Sequence, residues 1–168
     1  FATGLILLAL MTGMLLSGCS ATDDTQTALP SVTTAAPMTT VQTPDPATLE
    51  EEDMVLSLEG FRNAGALADS QLSILDMMTY ALQDEYAARA EYDEIQEIFG
   101  TMRPYDNIQK SEEKHISMLK DLFAQYGLTV PVDNSAEHVV IPASLLEAAE
   151  TGVQAEINNI AMYEKFLT

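Results

Sequence analysis

The sequence predicts an all-α domain, a bundle of antiparallel helices, carried behind a long leader. Three observations give this expectation. From about residue 70 onward, apolar residues recur at alternating steps of three and four along three long segments. Gly and Pro stand where those segments stop, at Gly100, Pro104, Gly127, Pro131 and Pro142. One connection is short and the next is long, as in four-helix bundles.

The chain divides into three regions. Residues 1–18 read as a signal peptide: LILLALMTGMLLSGCS, Leu5 to Ser20, is an apolar core that ends in small residues. An initiator Met and a basic leader are expected ahead of Phe1. Leu16-Ser17-Gly18-Cys19 looks like a bacterial lipoprotein lipobox, in which the Cys is acylated and becomes the mature N-terminus. Cys19 is the single Cys of the chain. The alternative is an ordinary cleaved signal with a chance Cys. The apolar run is short and broken by Thr12, Gly13 and Ser17, which disfavours a spanning helix. Acylation at Cys19 would hold the protein on the membrane, outside the cytoplasm, without crossing the bilayer. Residues 19–50 are rich in Thr, Ser, Ala and Pro with no apolar period, and read as a disordered tether.

Residues 51–168 are expected to fold. EEDMVLSLEGFRNAGA suggests a short, poor helix limited by Gly60 and Gly65. The first long helix starts near Asp69 or Ser70 and runs to Gly100. Pro104 opens the second, which stops at Gly127. LTVPVDNSAEHVVI is a loop or an extended crossover. The third helix begins near Pro142. A fourth helix is expected but absent from this sequence, which would leave an apolar seam exposed and favour a homodimer.

The charge narrows the partners. Lys and Arg total 7 against 26 Asp and Glu, a net charge of −19, and the first basic residue is Arg62. This balance argues against a nucleic-acid partner, because phosphates need cations. Docking on anionic lipid by electrostatics is disfavoured for the same reason.

The helical stripes carry the chemistry. The first is Leu75, Met78, Leu82, Glu85, Arg89, Tyr92, Gln96, Phe99. The second is Ile108, Glu112, His115, Leu119, Leu122, Tyr126. The third is Leu146, Ala149, Val153, Glu156, Ile160, Tyr163, Leu167. Each is apolar at its ends and acidic in the middle. Converging carboxylates in a core repel one another, and burying them ionised is costly. Arg89 could neutralise one of them; a metal ion removes the conflict. Alone, Glu112-x-x-His115 also fits a hydrogen-bonded core pair. Combined with Glu85 and Glu156 on facing helices, it matches the metal-carboxylate pattern of bundles. Asp84, Glu91, Asp93 and Glu94 read as a solvated face, His138 as a surface residue, and Met77, Met78 and Met118 as core.

An internal likeness supports the pairing. QDEYAARAEYD (Gln83 to Asp93) resembles QAEINNIAMYE (Gln154 to Glu164), aligning Glu85 with Glu156 and Tyr92 with Tyr163.

Glu-x6-Tyr, Glu-x-x-His and Glu-x6-Tyr together resemble the ferritin-like superfamily, especially its rubrerythrin-type members. NIQKSEEKHISMLKDLFAQYGLTVPV (Asn107 to Val132) more closely resembles the family called domain of unknown function 2202. The resemblance implies a ferritin-like four-helix bundle whose fourth helix is missing here. It implies iron as cofactor, di-iron or single, held by Glu85, Glu112 as a bridging carboxylate, His115 and Glu156. Tyr92 and Tyr163 would be hydrogen-bond partners of those ligands or oxidisable residues. Oxidase, ferroxidase or peroxidase chemistry would follow, with electrons from a redox partner, since no rubredoxin-type Cys set is present. The contrasting expectation is a non-catalytic envelope lipoprotein that binds metal or another protein.

Overall fold

The computed structural model describes Glu50 and residues 54–168. Cys19, the signal segment and the tether up to residue 49 lie outside the described residues. Four α-helices, and no strand, are present among the described residues: α1 (Arg62–Ala68), α2 (Ile74–Phe99), α3 (Tyr105–Gln125) and α4 (Leu145–Phe166). A 3-10 turn, Ser135–Glu137, interrupts the loop between α3 and α4. The expected all-α class is therefore observed. The poor helix expected from residue 51 is confined to the seven residues of α1.

Local chemistry sets the boundaries. The first long helix begins at Ile74, later than Asp69 or Ser70. Ser73 Oγ accepts from Asp76 N, and the Asp76 carboxylate accepts from Ser73 N, a reciprocal capping box. Asp69 is engaged elsewhere, accepting from the Tyr80 hydroxyl and from Gln71 N. α2 stops at Gly100, as read from the sequence. α3 follows Pro104 and ends in a Schellman motif: Gly127 takes φ 66°, Leu128 N donates to Phe123 O, and Gly127 N donates to Ala124 O. Ser144 caps α4 through Glu147 N.

α2 is the central element. Met78, Tyr80 and Leu82 pack with Ile116, Leu119 and Phe123 of α3, with Met162, Tyr163 and Phe166 of α4, and with Ala66 of α1. Fully burying side chains such as Leu82 or Phe123 contributes about 1.5–3 kcal/mol each. A smaller apolar cluster, Tyr92, Ile95, Tyr105 and Ala148, closes the other end. Between the two clusters lies a polar belt.

The segment leading into α1, up to and including its first residue Arg62, runs along α2 as a strap. Ser57 N donates to Asp76, Glu59 N to the Tyr80 hydroxyl, and Arg62 N to Gln83, acceptors spaced turn by turn along the helix. Gly65 makes the crossing possible. A Cβ there would stand 2.6 Å from the Gly60 carbonyl carbon and 2.7 Å from Tyr80 Cε1. The far end of α1 is fastened by Lys165, whose ammonium donates to the carbonyls of Ala66, Leu67 and Asp69.

α4 departs from expectation. Its buried residues are Ala148, Asn159, Met162, Tyr163 and Phe166. Leu146, Val153, Ile160 and Leu167 of the expected stripe are exposed, as is Ile157. The helix is apolar on two nearly opposite faces, and the one with more large aliphatic residues faces out. Met118 is also exposed, at 45%, whereas Met78 is buried as expected.

Candidate metal centre

The polar belt is built by three helices. α2 brings Glu85 inward one turn beyond Leu82. α3 brings Glu112 and His115, three residues apart and so on one face. All three side chains are buried. His115 Nδ1 lies 3.1 Å from Glu85 Oε2 and 3.3 Å from Glu112 Oε2. One ligand atom from each of the three lies within 4.8 Å of the others, close enough to hold one metal ion. The Tyr163 hydroxyl donates to the other Glu85 oxygen at 3.5 Å.

The electrostatics follow from burial. Desolvation pushes the Glu85 carboxyl up to about 8, and the neighbouring Glu112 adds to the rise. His115 is raised to about 10 by its hydrogen bonds to Glu112 and then Glu85, which outweigh its own desolvation. The site thus retains protons where a cation would serve equally. Burial, then nearby carboxylates, raises the phenols of Tyr92 and Tyr163 far above the ordinary value.

Glu156 lies beside this trio. It is half-buried and lines a cavity of ≈ 20 Å³ together with Glu85, Glu112, Tyr92, Asp84 and Arg62. That volume holds about one water. Burial, then the charges of Glu112 and Asp84, raises Glu156. It shares the cavity but is not among the three residues whose ligand atoms converge. Gly152 of α4 meets the Tyr92 hydroxyl, with an ideal Cβ 3.6 Å away. The two aligned segments therefore approach crosswise: Tyr163 meets Glu85, and Tyr92 meets the helix carrying Glu156.

Arg89 does not neutralise the trio. Its guanidinium pairs with Asp133 at 2.7 Å, outside the belt. Asp84 corrects the reading of a solvated face. It is buried, and its two oxygens accept from Asn63 Nδ2 at 2.8 Å and Asn159 Nδ2 at 2.7 Å. Its carboxyl is raised by desolvation, against the lowering effect of Asn159 and Arg62. Glu91 is half-buried against Arg62, and Asp93 is exposed. His138 is exposed as expected and stacks on Phe61 at 4.1 Å between centroids. The residues missed from sequence are Arg62, Asn63, Asp84 and Asn159. Asn159, a polar residue one turn before Met162 and Tyr163, was the available signal.

The donor set suits a metal. Two carboxylates and an imidazole are ligands that divalent iron, zinc and manganese accept, and one such atom from each residue lies within 4.8 Å of the others. The family model of an uncharacterized protein domain, DUF2202, matches residues 75–159, half of the chain, and spans all three candidate ligands. No curated protein and no solved structure matches.

Proposed function

The chain belongs to the DUF2202 family, and from that premise we propose that it is a metal-binding helical domain of ferritin-like type, tethered to a membrane through acylated Cys19. The observation that carries the metal reading is the convergence of Glu85, Glu112 and His115 in a buried belt, with His115 Nδ1 facing both carboxylates. Glu156, on the cavity wall, is the residue best placed to join them. Iron held there would supply oxidase, ferroxidase or peroxidase chemistry. The protein's own part is to keep the ligands buried, to orient the Glu85 oxygen through Tyr163, and to hold protons on Glu85 and His115 when no cation is bound.

The test is iron content after anaerobic loading with ferrous iron, compared with Glu112→Ala/His115→Ala. Stoichiometric iron that is lost in the double variant, and absorbance changes on admitting oxygen, support the proposal. Equal and substoichiometric iron in both proteins refutes it.

A second reading, a protein-interaction module, is favoured by the exposed aliphatic face of α4. Leu146 at 69% and Val153 at 63% exposure lie on the side away from the core. Val153→Glu/Ile157→Glu should leave folding unchanged and abolish self-association in light scattering. If the parent chain is monomeric at high concentration, self-association fails as an account of that face.

A further inference from the structure

One basic side chain, Arg62, lines the cavity, together with Glu85, Glu112 and Glu156. Its Nη1 bonds Glu91 Oε1 at 2.8 Å, and its Nε lies 3.8 Å from Asp84 Oδ1. The arginine comes from the strap, not from the helices that supply the ligands. Its backbone takes φ 46°, the left-handed region that L side chains rarely adopt. The neighbouring Asn63 side chain bonds the same Asp84. The left-handed backbone is held by the Arg62 N–H, which donates to Gln83 Oε1, while the side chains of Arg62 and Asn63 bond at the rim of the acidic cavity.

We propose that the end of the strap, at Arg62, is a lid over the metal site and that the Arg62 guanidinium is its latch. The inference rests on the metal reading of the same site. With the guanidinium seated between Glu91 and Asp84, a cation approaching the cavity past those two carboxylates meets a positive charge. Entry and exit both require Arg62 to leave its seat. Arg62 is a positioning residue: it touches none of the converging ligand atoms, and it sets the rate at which the site exchanges its ion rather than the identity of the ligands.

The test uses the full chain and cobalt(II), followed by its visible absorption in stopped flow, with release driven by excess chelator. Arg62→Gly is the informative variant, because glycine removes the guanidinium and suits the left-handed backbone. Glu91→Gln is the second, because it loosens the latch and leaves the strap sequence intact. The expected result is that Arg62→Gly speeds both uptake and chelator-driven release by about tenfold or more, and Glu91→Gln by a smaller factor. A purely electrostatic role predicts the opposite for release, since losing a nearby positive charge tightens cation binding and slows exit. Slower or unchanged release in both variants overturns the lid. Loss of cobalt binding in Arg62→Gly alone, with the parent chain loaded, also overturns it, because Arg62 would then hold the site together. Absence of cobalt binding in every protein, the parent included, overturns the metal reading itself and the lid with it.

Discussion

Loading the site with one divalent ion should expel about two protons near neutral pH. Stripped of protons, Glu85, Glu112 and His115 carry two negative charges, so one divalent ion or two protons bring the trio to neutrality. In the metal-free protein, Glu85 is pushed to about 8 and His115 to about 10. The pair therefore holds protons near neutral pH, on Glu85 because of burial and on His115 because of the carboxylates beside it, and these must leave for the ion to bind. The apparent affinity should climb by nearly a hundredfold per pH unit around neutrality, the slope for about two released protons. Calorimetry with zinc in buffers of different ionisation enthalpy counts those protons directly. Both shifts also act on the metal-free fold in one direction. Each folded value lies above its ordinary value, 4.5 for Glu85 and 6.5 for His115, so each group's contribution is greatest at low pH. Glu85's is lost as pH rises through about 8, and His115's as it rises through about 10. The metal-free protein should therefore lose stability toward alkaline pH, and zinc should restore it. Release of less than about half a proton, with affinity flat across neutral pH, would refute the exchange.

Other consequences are simpler to measure. His115→Ala leaves buried Glu85 and Glu112 without their cationic partner and should cost the metal-free protein about 3–5 kcal/mol in denaturant unfolding near neutral pH; a change below about 1 kcal/mol would mean that water already solvates the trio. Asn159→Ala removes one of the two donors to buried Asp84 and should cost about 1–3 kcal/mol; an unchanged urea midpoint would rule out a structural role for that bond. Ser73→Ala breaks the capping box of α2 and should cost about 1 kcal/mol; Ser70→Ala, the residue first expected to cap, should change the melting temperature little.

How legible the molecule was from sequence depended on how many faces a helix buries. α2 and α3 showed their inward face clearly. Glu85, Glu112 and His115 stood out as polar residues inside apolar stripes, so the heart of the candidate centre was readable. α4 misled because it carries two apolar faces. Leu146, Val153 and Ile160 outweigh Ala148 and Met162 in hydrophobicity, yet the latter pair is buried. Asp84 was hidden for another reason. A carboxylate beside Glu85 on the helix normally faces water, and the donors that draw it inward, Asn63 and Asn159, come from distant parts of the chain. The strap could not be read either, because its backbone donors reach side chains of α2 and carry no periodicity of their own.

The lysine seated among three backbone carbonyls has a practical use. Lys110, Lys114 and Lys120 are exposed, whereas the Lys165 ammonium donates to Ala66, Leu67 and Asp69. An amine enclosed in this way must leave its seat before a reagent can reach its lone pair. Acylation of Lys165, followed by mass spectrometry, would therefore time the parting of α4 from α1, with the other three lysines as an internal clock for reagent reactivity. The fold carries its own probe of whether the first short helix and the last helix stay joined.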